Sequence, residues 1–441
     1  MASEFVLGMY PEANACLQSN RKSELDGIDA TASKKIPLQQ GYPPCKMVDR
    51  VSEIMKEACQ KRLTEEAKTG SNLLHYGFRM GDPLFRAQLA KFLTDQYGYD
   101  VRKERLLATC GATSGLYHLC TMFFSPGDLV FAEEPSYYLA LEMMEKDIKR
   151  KIIHVPLDTK GILPEELEST VKQFYPKEGF VPSKERLYWS MVYLISCFQN
   201  PTGACLSEDR CKAVVAIARK YHLLVVSDDL YGPLHWSFDT YGRTPSHAPK
   251  PLKYFDREED EGFFGNVVSN NSFSKIMAPG LRIGWMEGPP VVLAKFACSA
   301  YFVSAGDFNH FTSGLLGTAL ESGAITNHIV ETRRQYKEKI VAMQQVFEEK
   351  LKGVIKYSLP EGGFFVWIQL PTNMNCDDLM ALCQKKYNVT FACGNKFTKN
   401  PGSLSNFIRI SFSHLEKDTF IEGVKELSDA ILELKATNDS Q

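Results

Sequence analysis

The strongest constraint on the fold is a regular alternation of short apolar runs with helix-like segments, beginning at about Pro83. Each apolar run is closed by a polar residue or a proline, which is typical of a buried β-strand. Strands that alternate with helices form mostly parallel sheets covered by helices on both faces. The sequence therefore predicts an α/β fold with a mostly parallel seven-stranded sheet, and its strands are LLATC, LVFAEEP, KIIHVPL, VYLISCF, LLVVSDD, VVSNNSF and LRIGWME.

The chain is predicted to divide into an arm and two domains. Residues 1–55 form an N-terminal arm and part of the small domain, residues 56–325 a large domain, and residues 326–441 a smaller α+β domain. The amphipathic segment HIVETRRQYKEKIVAMQQVFEEKLK predicts a long helix that joins the two lobes. Residues 236–264 contain three prolines and the charged run DREEDE, which predicts a solvated insertion between two strands of the sheet.

Composition and charge exclude several classes of protein. The formal net charge is -2, so there is no basic field that would attract nucleic acid or an anionic membrane. No apolar run approaches the roughly 20 residues that a membrane helix needs. Twelve cysteines are scattered without a CxxC pair, so we expect free thiols and no metal site. The first residues lack a signal-peptide pattern, and we therefore expect a cytoplasmic protein.

Five segments place unusual residues where predicted strands end. Each also fits an ordinary role when taken alone: a glycine turn with a helix cap, a proline turn, a capping carboxylate or a surface lysine. In parallel sheets, however, ligands bind beyond the carboxyl ends of the strands, where these segments collect. The segments are GATSG (111–115), EEPSYY (133–138), QNPTG (199–203), SDDLYG (227–232) and SFSK (272–275).

Together these segments describe a single kind of ligand. A helix start rich in glycine and hydroxyl groups binds phosphate, and aromatic residues stack on a planar ring. A buried carboxylate holds a basic ring nitrogen, and a lysine condenses with a carbonyl group. The sequence therefore predicts pyridoxal 5′-phosphate (PLP) as the cofactor.

The order of these motifs, continued by SFSK-x6-R and by the strand NFIRISF, resembles the fold-type-I PLP-dependent aminotransferases of class I/II. The chain is most similar to the branch that contains the 2-aminoadipate, kynurenine and aromatic aminotransferases. The resemblance extends in order from about Gln39 to Phe412. The motifs QNPTG, DDxY and SFSK-xx-APG-x-R-x-GW are specific, whereas the glycine loop is not.

The resemblance implies a role for each cofactor-side residue. Lys275 would form the Schiff base and later move a proton at the substrate Cα, and Asp228 would pair with the pyridinium nitrogen. Tyr231 and Asn200 would hydrogen-bond the 3′ oxygen of the ring, and Tyr137 would stack on it. The phosphate would be held by Ala112, Thr113, Ser272, Ser274 and Arg282.

The resemblance also implies a substrate side and a partner. Arg409, which taken alone is also explained as a solvated strand residue, would grip the α-carboxylate of the amino acid. Gly41 and Asn200 would line the substrate side. Tyr76 would reach the phosphate of a neighbouring subunit, which implies a homodimer with shared active sites.

The expected activity is transfer of the amino group of an L-amino acid to a 2-oxo acid, with 2-oxoglutarate as the expected acceptor, by a ping-pong mechanism. Two alternatives stay open: a PLP-dependent lyase on the same scaffold, and a non-catalytic PLP-binding regulator. Regulators of that type carry an N-terminal winged helix-turn-helix, and the first forty residues here are too short and polar for one. The glycine loop departs from the family pattern, since it carries Ala112-Thr113 in place of a frequent Ser-Gln pair.

Overall fold

The computed structural model describes residues 35–236, 247–306, 309–400 and 402–440, which form a large α/β lobe and a smaller α+β lobe. The strands are β1 (Ile36–Pro37), β2 (Leu106–Thr109), β3 (Leu129–Glu134), β4 (Lys151–Asp158), β5 (Gly161–Ile162), β6 (Ser190–Leu194), β7 (Leu223–Asp228), β8 (Val267–Ser272), β9 (Gly284–Glu287), β10 (Lys356–Tyr357), β11 (Phe365–Gln369), β12 (Val389–Thr390), β13 (Ala392–Cys393) and β14 (Phe407–Ser411). The helices are α1 (Cys45–Thr69), α2 (Pro83–Tyr97), α3 (Ala112–Phe123), α4 (Tyr138–Glu142), α5 (Pro164–Phe174), α6 (Glu208–Lys220), α7 (Pro290–Ala297), α8 (Ala300–Ala305), α9 (His310–Glu321), α10 (Ala324–Lys350), α11 (Cys376–Lys386) and α12 (Lys417–Asp439).

The large sheet has the strand order β2-β9-β8-β7-β6-β3-β4-β5. It contains the seven predicted strands and one additional two-residue strand, β5, at its edge. Strands β3, β4, β6, β7 and β8 are parallel, and β2 runs in the same direction because β9 is antiparallel to both β2 and β8. The carboxyl ends of β2, β3, β6, β7 and β8 therefore meet at the same edge of the sheet. This confirms the α/β class and places the predicted site segments side by side.

Alternate residues of each central strand pack against helices on opposite faces of the sheet. In β7, Leu224 and Val226 face the cluster that contains Leu119 of α3, while Val225 faces the cluster that contains Val214 of α6. All these side chains are fully buried or nearly so. The continuous apolar character of the strand, which the sequence shows as LLVV, follows from this burial on both faces.

The small lobe is built on an antiparallel sheet of order β10-β11-β14-β13. Its strand β14 carries Arg409, which faces Trp367 of β11 and Ala392 of β13 in the register. Strand β1 pairs in parallel with β12, so residues 36 and 37 belong structurally to this lobe. The arm predicted for the start of the chain lies mostly outside the described residues, and the predicted domain boundaries stay a prediction.

The predicted insertion joins β7 to β8, and its residues 247–264 are described. Leu252 and Phe255 are buried, and Asp256 accepts hydrogen bonds from the backbone N–H groups of Asn266 and Val267. Asp256 also forms an ion pair with Arg219 of α6 at 3.0 Å. The prediction of a solvated excursion was therefore wrong for residues 251–256, because long-range contacts anchor them to the sheet. Residues 257–259, 261 and 262 are exposed, as predicted for the charged run.

Among the described helices, none combines the length and the apolar character that a membrane crossing requires.

Candidate active site

A cavity of about 440 Å³ opens at the carboxyl edge of the large sheet, and residues of the small lobe close its other side. Every predicted site residue except Tyr76 lines it. The large lobe contributes Ala112, Thr113, Tyr137, Asn200, Asp228, Tyr231, Ser272, Ser274, Lys275 and Arg282, and the remaining part of the chain contributes Gly41 and Arg409. The structure thus brings together groups that are far apart in the sequence.

Lys275 follows β8 and directs its ammonium group into the cavity. Its Nζ donates a hydrogen bond to the backbone oxygen of Gly41 at 2.8 Å. Burial lowers the pKa of Lys275 to about 8, and the neighbouring guanidinium groups of Arg409 and Arg282 add to this effect, which Asp228 opposes. A lysine with this pKa is neutral in roughly one molecule in ten at pH 7, far more often than a solvated lysine, and the neutral amine is the nucleophilic form.

Asp228 is the last residue of β7 and lies at the base of the cavity, with 4% of its surface exposed. Its carboxylate accepts hydrogen bonds from the Tyr193 hydroxyl at 3.1 Å and from Asn270 Nδ2 at 2.8 Å. Burial raises the pKa of Asp228 to about 7 against the opposing effect of these hydrogen bonds. A cationic group in the cavity would lower this pKa and would be held by the carboxylate.

The adjacent Asp229 belongs to a separate environment. Its carboxylate accepts hydrogen bonds from the hydroxyl groups of Ser196, Ser227 and Ser269 at 2.5 to 2.6 Å. Burial raises its pKa as well. Asp229 does not line the cavity described here, so the structure distinguishes the two neighbouring aspartates by their direction.

The predicted phosphate end of the cavity combines a helix N-terminus with hydroxyl groups and an arginine. Helix α3 begins at Ala112, and its first backbone N–H groups have no partner within the helix. Ser272 Oγ donates to Ser274 Oγ at 2.8 Å, and Arg282 Nη1 lies 3.5 Å from Ser274 Oγ. These donors match what a phosphate group requires.

Two glycines allow the backbone segments at the phosphate end of the cavity to approach one another closely. A Cβ at Gly111 would lie 3.1 Å from Arg282 Nη2, and Gly111 adopts a φ of +91°. A Cβ at Gly284 would lie 2.3 Å from the Asn271 oxygen and 2.8 Å from the Gly111 Cα. The cradle therefore fits PLP phosphate with the residues present, and larger side chains at these two positions would distort it.

Arg409 occupies the opposite, small-lobe side of the cavity and is only 7% exposed. Its Nη1 donates to Asn200 Oδ1 at 2.7 Å and its Nη2 to the Gln39 backbone oxygen at 2.8 Å. The guanidinium lies over the rings of Phe365 at 4.0 Å and Phe397 at 4.9 Å. Burial lowers the pKa of Arg409 to about 10, which still leaves it charged. The guanidinium group of Arg409 is therefore buried at the cavity, and the alternative of a solvated strand residue is wrong.

Two tyrosines complete the predicted set inside the cavity. Tyr137 precedes α4, and burial together with the charge of Asp228 raises its pKa to about 12. Tyr231 is 3% exposed, and burial raises its pKa. Both hydroxyl groups therefore stay protonated at neutral pH and are available as hydrogen-bond donors.

Tyr76 lies outside the cavity, and 89% of its surface is exposed. The predicted role across a subunit interface stays a prediction.

The structure also reveals residues that the motifs did not identify. Tyr193 and Asn270 hold Asp228, while Phe365 and Phe397 enclose Arg409. Asn270 had a visible signal, because consecutive asparagines inside the buried strand VVSNNS are unusual. The sequence gives no such signal for Tyr193, since a tyrosine within an apolar strand is also explained as an ordinary core residue.

Comparisons with known proteins agree with this geometry. The family model for aminotransferases of class I and II matches residues 33–427. Aromatic-amino-acid aminotransferase 1 of Thermococcus litoralis is 28% identical over 398 residues, which cover 90% of this chain and 87% of the relative. The 2-aminoadipate transaminase of Thermus thermophilus is 29% identical over 401 residues, which cover 91% and 89% respectively.

A solved structure shares the whole architecture. The crystal structure of Pyrococcus horikoshii kynurenine aminotransferase, in complex with PMP and with kynurenine as substrate, superposes with a TM-score of 0.75 at 30% identity. The match covers 94% of this chain and 95% of that one. The family model and the shared fold confirm the resemblance found in the motifs, and the chain therefore belongs to the class I and II aminotransferases, enzymes that use pyridoxal 5′-phosphate.

Proposed function

We propose that this enzyme moves the amino group of an L-amino acid to a 2-oxo acid, with 2-oxoglutarate as acceptor, in two half-reactions of a ping-pong mechanism. One observation carries the proposal: the Lys275 amine, the Asp228 carboxylate and the Arg409 guanidinium line the same cavity. PLP, when bound, supplies an electron sink for the bonds at the amino acid Cα. The protein residues bind, orient and move protons.

Lys275 is the group that we propose to form the Schiff base with the cofactor. Its lowered pKa supports this role, because the uncharged amine attacks a carbonyl group. Once substrate has displaced it, the same amine is placed to move a proton at the substrate Cα. Proton transfer by a positioned side chain contributes about 10²- to 10⁴-fold to a rate.

Asp228 is proposed to keep the cofactor ring nitrogen protonated. Its buried carboxylate accepts hydrogen bonds from two neutral donors, Tyr193 and Asn270. A cation in the cavity would supply the positive charge that these donors lack. Tyr231 and Asn200 are proposed to donate to the 3′ oxygen of the ring, and Tyr137 to stack on the ring. The phosphate ligands are proposed to be Ala112, Thr113, Ser272, Ser274 and Arg282, which all line the cavity.

Arg409 is proposed to bind the α-carboxylate of both substrates. Its Nε is buried and has no hydrogen-bond partner among the described residues, although Nη1 and Nη2 are paired. A carboxylate that approaches the fork would satisfy this donor and neutralise the buried charge. Gly41 and Asn200, which contact Lys275 and Arg409 respectively, are proposed to line the substrate side.

The test of the proposed reaction is the first half-reaction on its own. When an L-amino acid is added without an oxo acid, we expect the absorbance of bound PLP to change to that of the amine form, with release of about one 2-oxo acid per site. Addition of 2-oxoglutarate should restore the original spectrum. Absorbance and chromatography of the oxo acid measure both changes, and a panel of 2-aminoadipate, kynurenine and aromatic amino acids identifies the donor.

A lyase would give a different result in the same experiment. Ammonia or another fragment would then accumulate over many turnovers without an oxo acid, and the cofactor spectrum would return unaided. That outcome would contradict the proposed transfer. A non-catalytic regulator would bind the amino acid without release of any product.

We propose that two copies of the chain form a homodimer with shared active sites. Several large apolar side chains of α3, of α9 and of the segment that contains Tyr76 are exposed, and they include Leu74 (70%), Tyr76 (89%), Phe78 (58%), Tyr117 (45%) and Phe311 (41%). Gly77 packs against His310, while Asn309 donates to the backbone oxygen of Arg282, so this surface is joined to the phosphate end. An apolar surface of this kind on a soluble enzyme supports a subunit interface.

Mixing two inactive variants tests the shared site. We expect Tyr76→Ala, which removes the proposed phosphate donor, and Lys275→Ala to be weakly active or inactive as separate proteins at limiting PLP. When the two are unfolded and refolded together, heterodimers carry one site with both native residues, which restores about one quarter of the wild-type sites. Activity per total chain and mass by light scattering are measured. A monomeric mass, or no recovery on mixing, would contradict the shared site.

We also propose the cytoplasm as the compartment. The eleven cysteines among the described residues are all free, as expected where thiols are kept reduced.

A further inference from the structure

The small lobe contains a second cluster of chemically active groups, which lies outside the lining of the active-site cavity. Cys376, Asp377 and Cys393 each offer one ligand atom, and these atoms lie within 4.8 Å of one another. Cys376 is fully buried, Cys393 is half-buried and Asp377 is exposed. The cluster therefore has a buried base and an opening to solvent.

Backbone hydrogen bonds fix these three residues on two different elements. Cys376 and Asp377 begin helix α11, where the Asn375 side chain accepts from the Asp377 N–H at 2.7 Å. The Cys376 N–H donates to the Ser405 oxygen at 2.6 Å. Cys393 ends strand β13 and pairs with Ile408 of β14. The groups are thus held together by the fold and not by flexible loops.

The two cysteines are held together by a direct contact. The Cys393 thiol donates a hydrogen bond to the Cys376 backbone oxygen at 3.5 Å. The two sulfur atoms and one carboxylate oxygen of Asp377 lie within 4.8 Å of one another, so all three could reach one small cation. Binding of a divalent cation would release the two thiol protons.

We propose that Cys376, Asp377 and Cys393 bind a thiophilic divalent cation of the zinc class, with solvent as the fourth ligand. Two thiolates and one carboxylate suit Zn²⁺ or Co²⁺, whereas Ca²⁺ and Mg²⁺ require oxygen ligands. The absence of a CxxC pair predicts no metal site in the sequence, but Cys376 and Cys393 are 17 residues apart and the fold brings them together.

The cation would tether a segment that reaches the active site. Residues 394–397 directly follow Cys393, and Phe397 lies 4.9 Å from the Arg409 guanidinium. The next residue, Thr398, donates to Glu134 Oε1 at 2.8 Å and so links this segment to the large lobe. Because a ligand that binds only the folded state stabilises it, Zn²⁺ should raise the thermal midpoint of the enzyme.

The experiment is a Co²⁺ titration of the reduced holoenzyme without amino acid. We expect one equivalent per chain to produce the visible bands of tetrahedral Co²⁺ and a thiolate charge-transfer band, and Zn²⁺ to remove both. Cys393→Ser should abolish the bands. Asp377→Asn should weaken Co²⁺ binding by at least about tenfold. Asp378→Asn, which removes the same charge from the next exposed residue of α11, is the matched control and should leave binding unchanged.

Two results would overturn the proposal. One is the absence of the Co²⁺ bands in the wild type, or bands of equal strength in Cys393→Ser and Asp377→Asn. The other is a protein that lacks two hydrogens by mass when purified without reductant and takes up no Co²⁺ after reduction, because the pair would then be a disulfide-forming pair. The circular dichroism of each variant checks that it is folded. None of these readouts depends on aminotransferase activity.

Discussion

Replacement of Lys275 by alanine is expected to lower kcat/KM by at least about 10⁴-fold, because one side chain performs both covalent attachment and proton transfer. The thermal midpoint should change little, since the only side-chain hydrogen bond described for Lys275 goes to the Gly41 oxygen at 2.8 Å. Steady-state kinetics on protein saturated with PLP measures the loss. The spectrum of bound PLP should also lose the band of the lysine-linked form.

Lys275→Arg separates nucleophilicity from charge. It keeps a cation near Asp228 and the Gly41 oxygen but has no amine that condenses with a carbonyl group. We therefore expect it to be as inactive as the alanine variant, while Lys295→Ala, on helix α7 and outside the cavity lining, stays fully active. If Lys275→Arg retained more than about one tenth of the wild-type rate, electrostatics alone would explain the role of the lysine.

The lowered pKa of Lys275 adds a pH test of the same prediction. The unprotonated amine is the reactive form, so the rate at which PLP attaches to the cofactor-free enzyme should rise with pH and level off above about 8. A solvated lysine would instead show a rise that continues to about 10.4. Stopped-flow absorbance after mixing with PLP, at a series of pH values, measures this midpoint. A rise that continues past pH 9 would place Lys275 in a more solvated environment than the structure shows.

The large sheet was predictable because its strands carry their own signal. A run such as LLVV is buried on both faces, and the sequence pattern reports this burial directly. The two-residue strand β5 has no such signal, since its pairing with Leu157 and Asp158 of β4 decides it. The segment Leu252–Phe255 was misjudged because the preceding prolines, Pro249 and Pro251, and the following charged run dominate the local composition. Its anchor, the ion pair between Asp256 and Arg219, joins residues on separate elements.

The cofactor side of the site was predictable for a topological reason. Parallel strands direct their carboxyl ends to the same edge, so the segments after β3, β6, β7 and β8 must meet there. The small-lobe side was less accessible, because antiparallel pairing across β11, β13 and β14 sets the neighbours of Arg409. Phe365 and Phe397 surround its guanidinium through contacts that no local motif records. Cys393, at the end of β13, meets Cys376 through the contact of α11 with the residues before β14, where the Cys376 N–H donates to the Ser405 oxygen.

The sequence SDD raises a question that only the structure resolves, since either aspartate fits a ligand role. Asp228 points into the cavity, whereas Asp229 is bonded by three serine hydroxyl groups on the other side of the strand. Both are buried, at 4% and 1% exposure, and both have raised pKa values. The two aspartates are therefore alike in burial and in the direction of their pKa shifts, and they differ mainly in where their side chains point.

Substitution of each by asparagine should separate activity from stability. Asp228→Asn cannot hold a protonated ring nitrogen, so we expect kcat/KM to fall by about 10³-fold, or about 4 kcal/mol. Because Tyr193 and Asn270 bond different oxygens of Asp228, asparagine keeps an acceptor for only one of them, and the thermal midpoint should also fall modestly. Asp229→Asn presents an NH₂ group to serine hydroxyls, which should lower the free energy of unfolding by about 1–3 kcal/mol. Its kcat/KM per folded chain should stay within about tenfold of the wild type, because its side chain bonds three serines and does not line the cavity.

Thermal denaturation and steady-state kinetics, normalised to bound PLP, separate the two effects. If Asp229→Asn lost activity as strongly as Asp228→Asn while remaining folded, the serine-bonded carboxylate would have to act on the cofactor, and the assignment of Asp228 would be wrong. Asp228→Glu refines the result, because it restores the charge but displaces it by one methylene group. Partial recovery of kcat/KM in Asp228→Glu would show that a carboxylate at the base of the cavity supplies the rate, even when it is displaced from its native position.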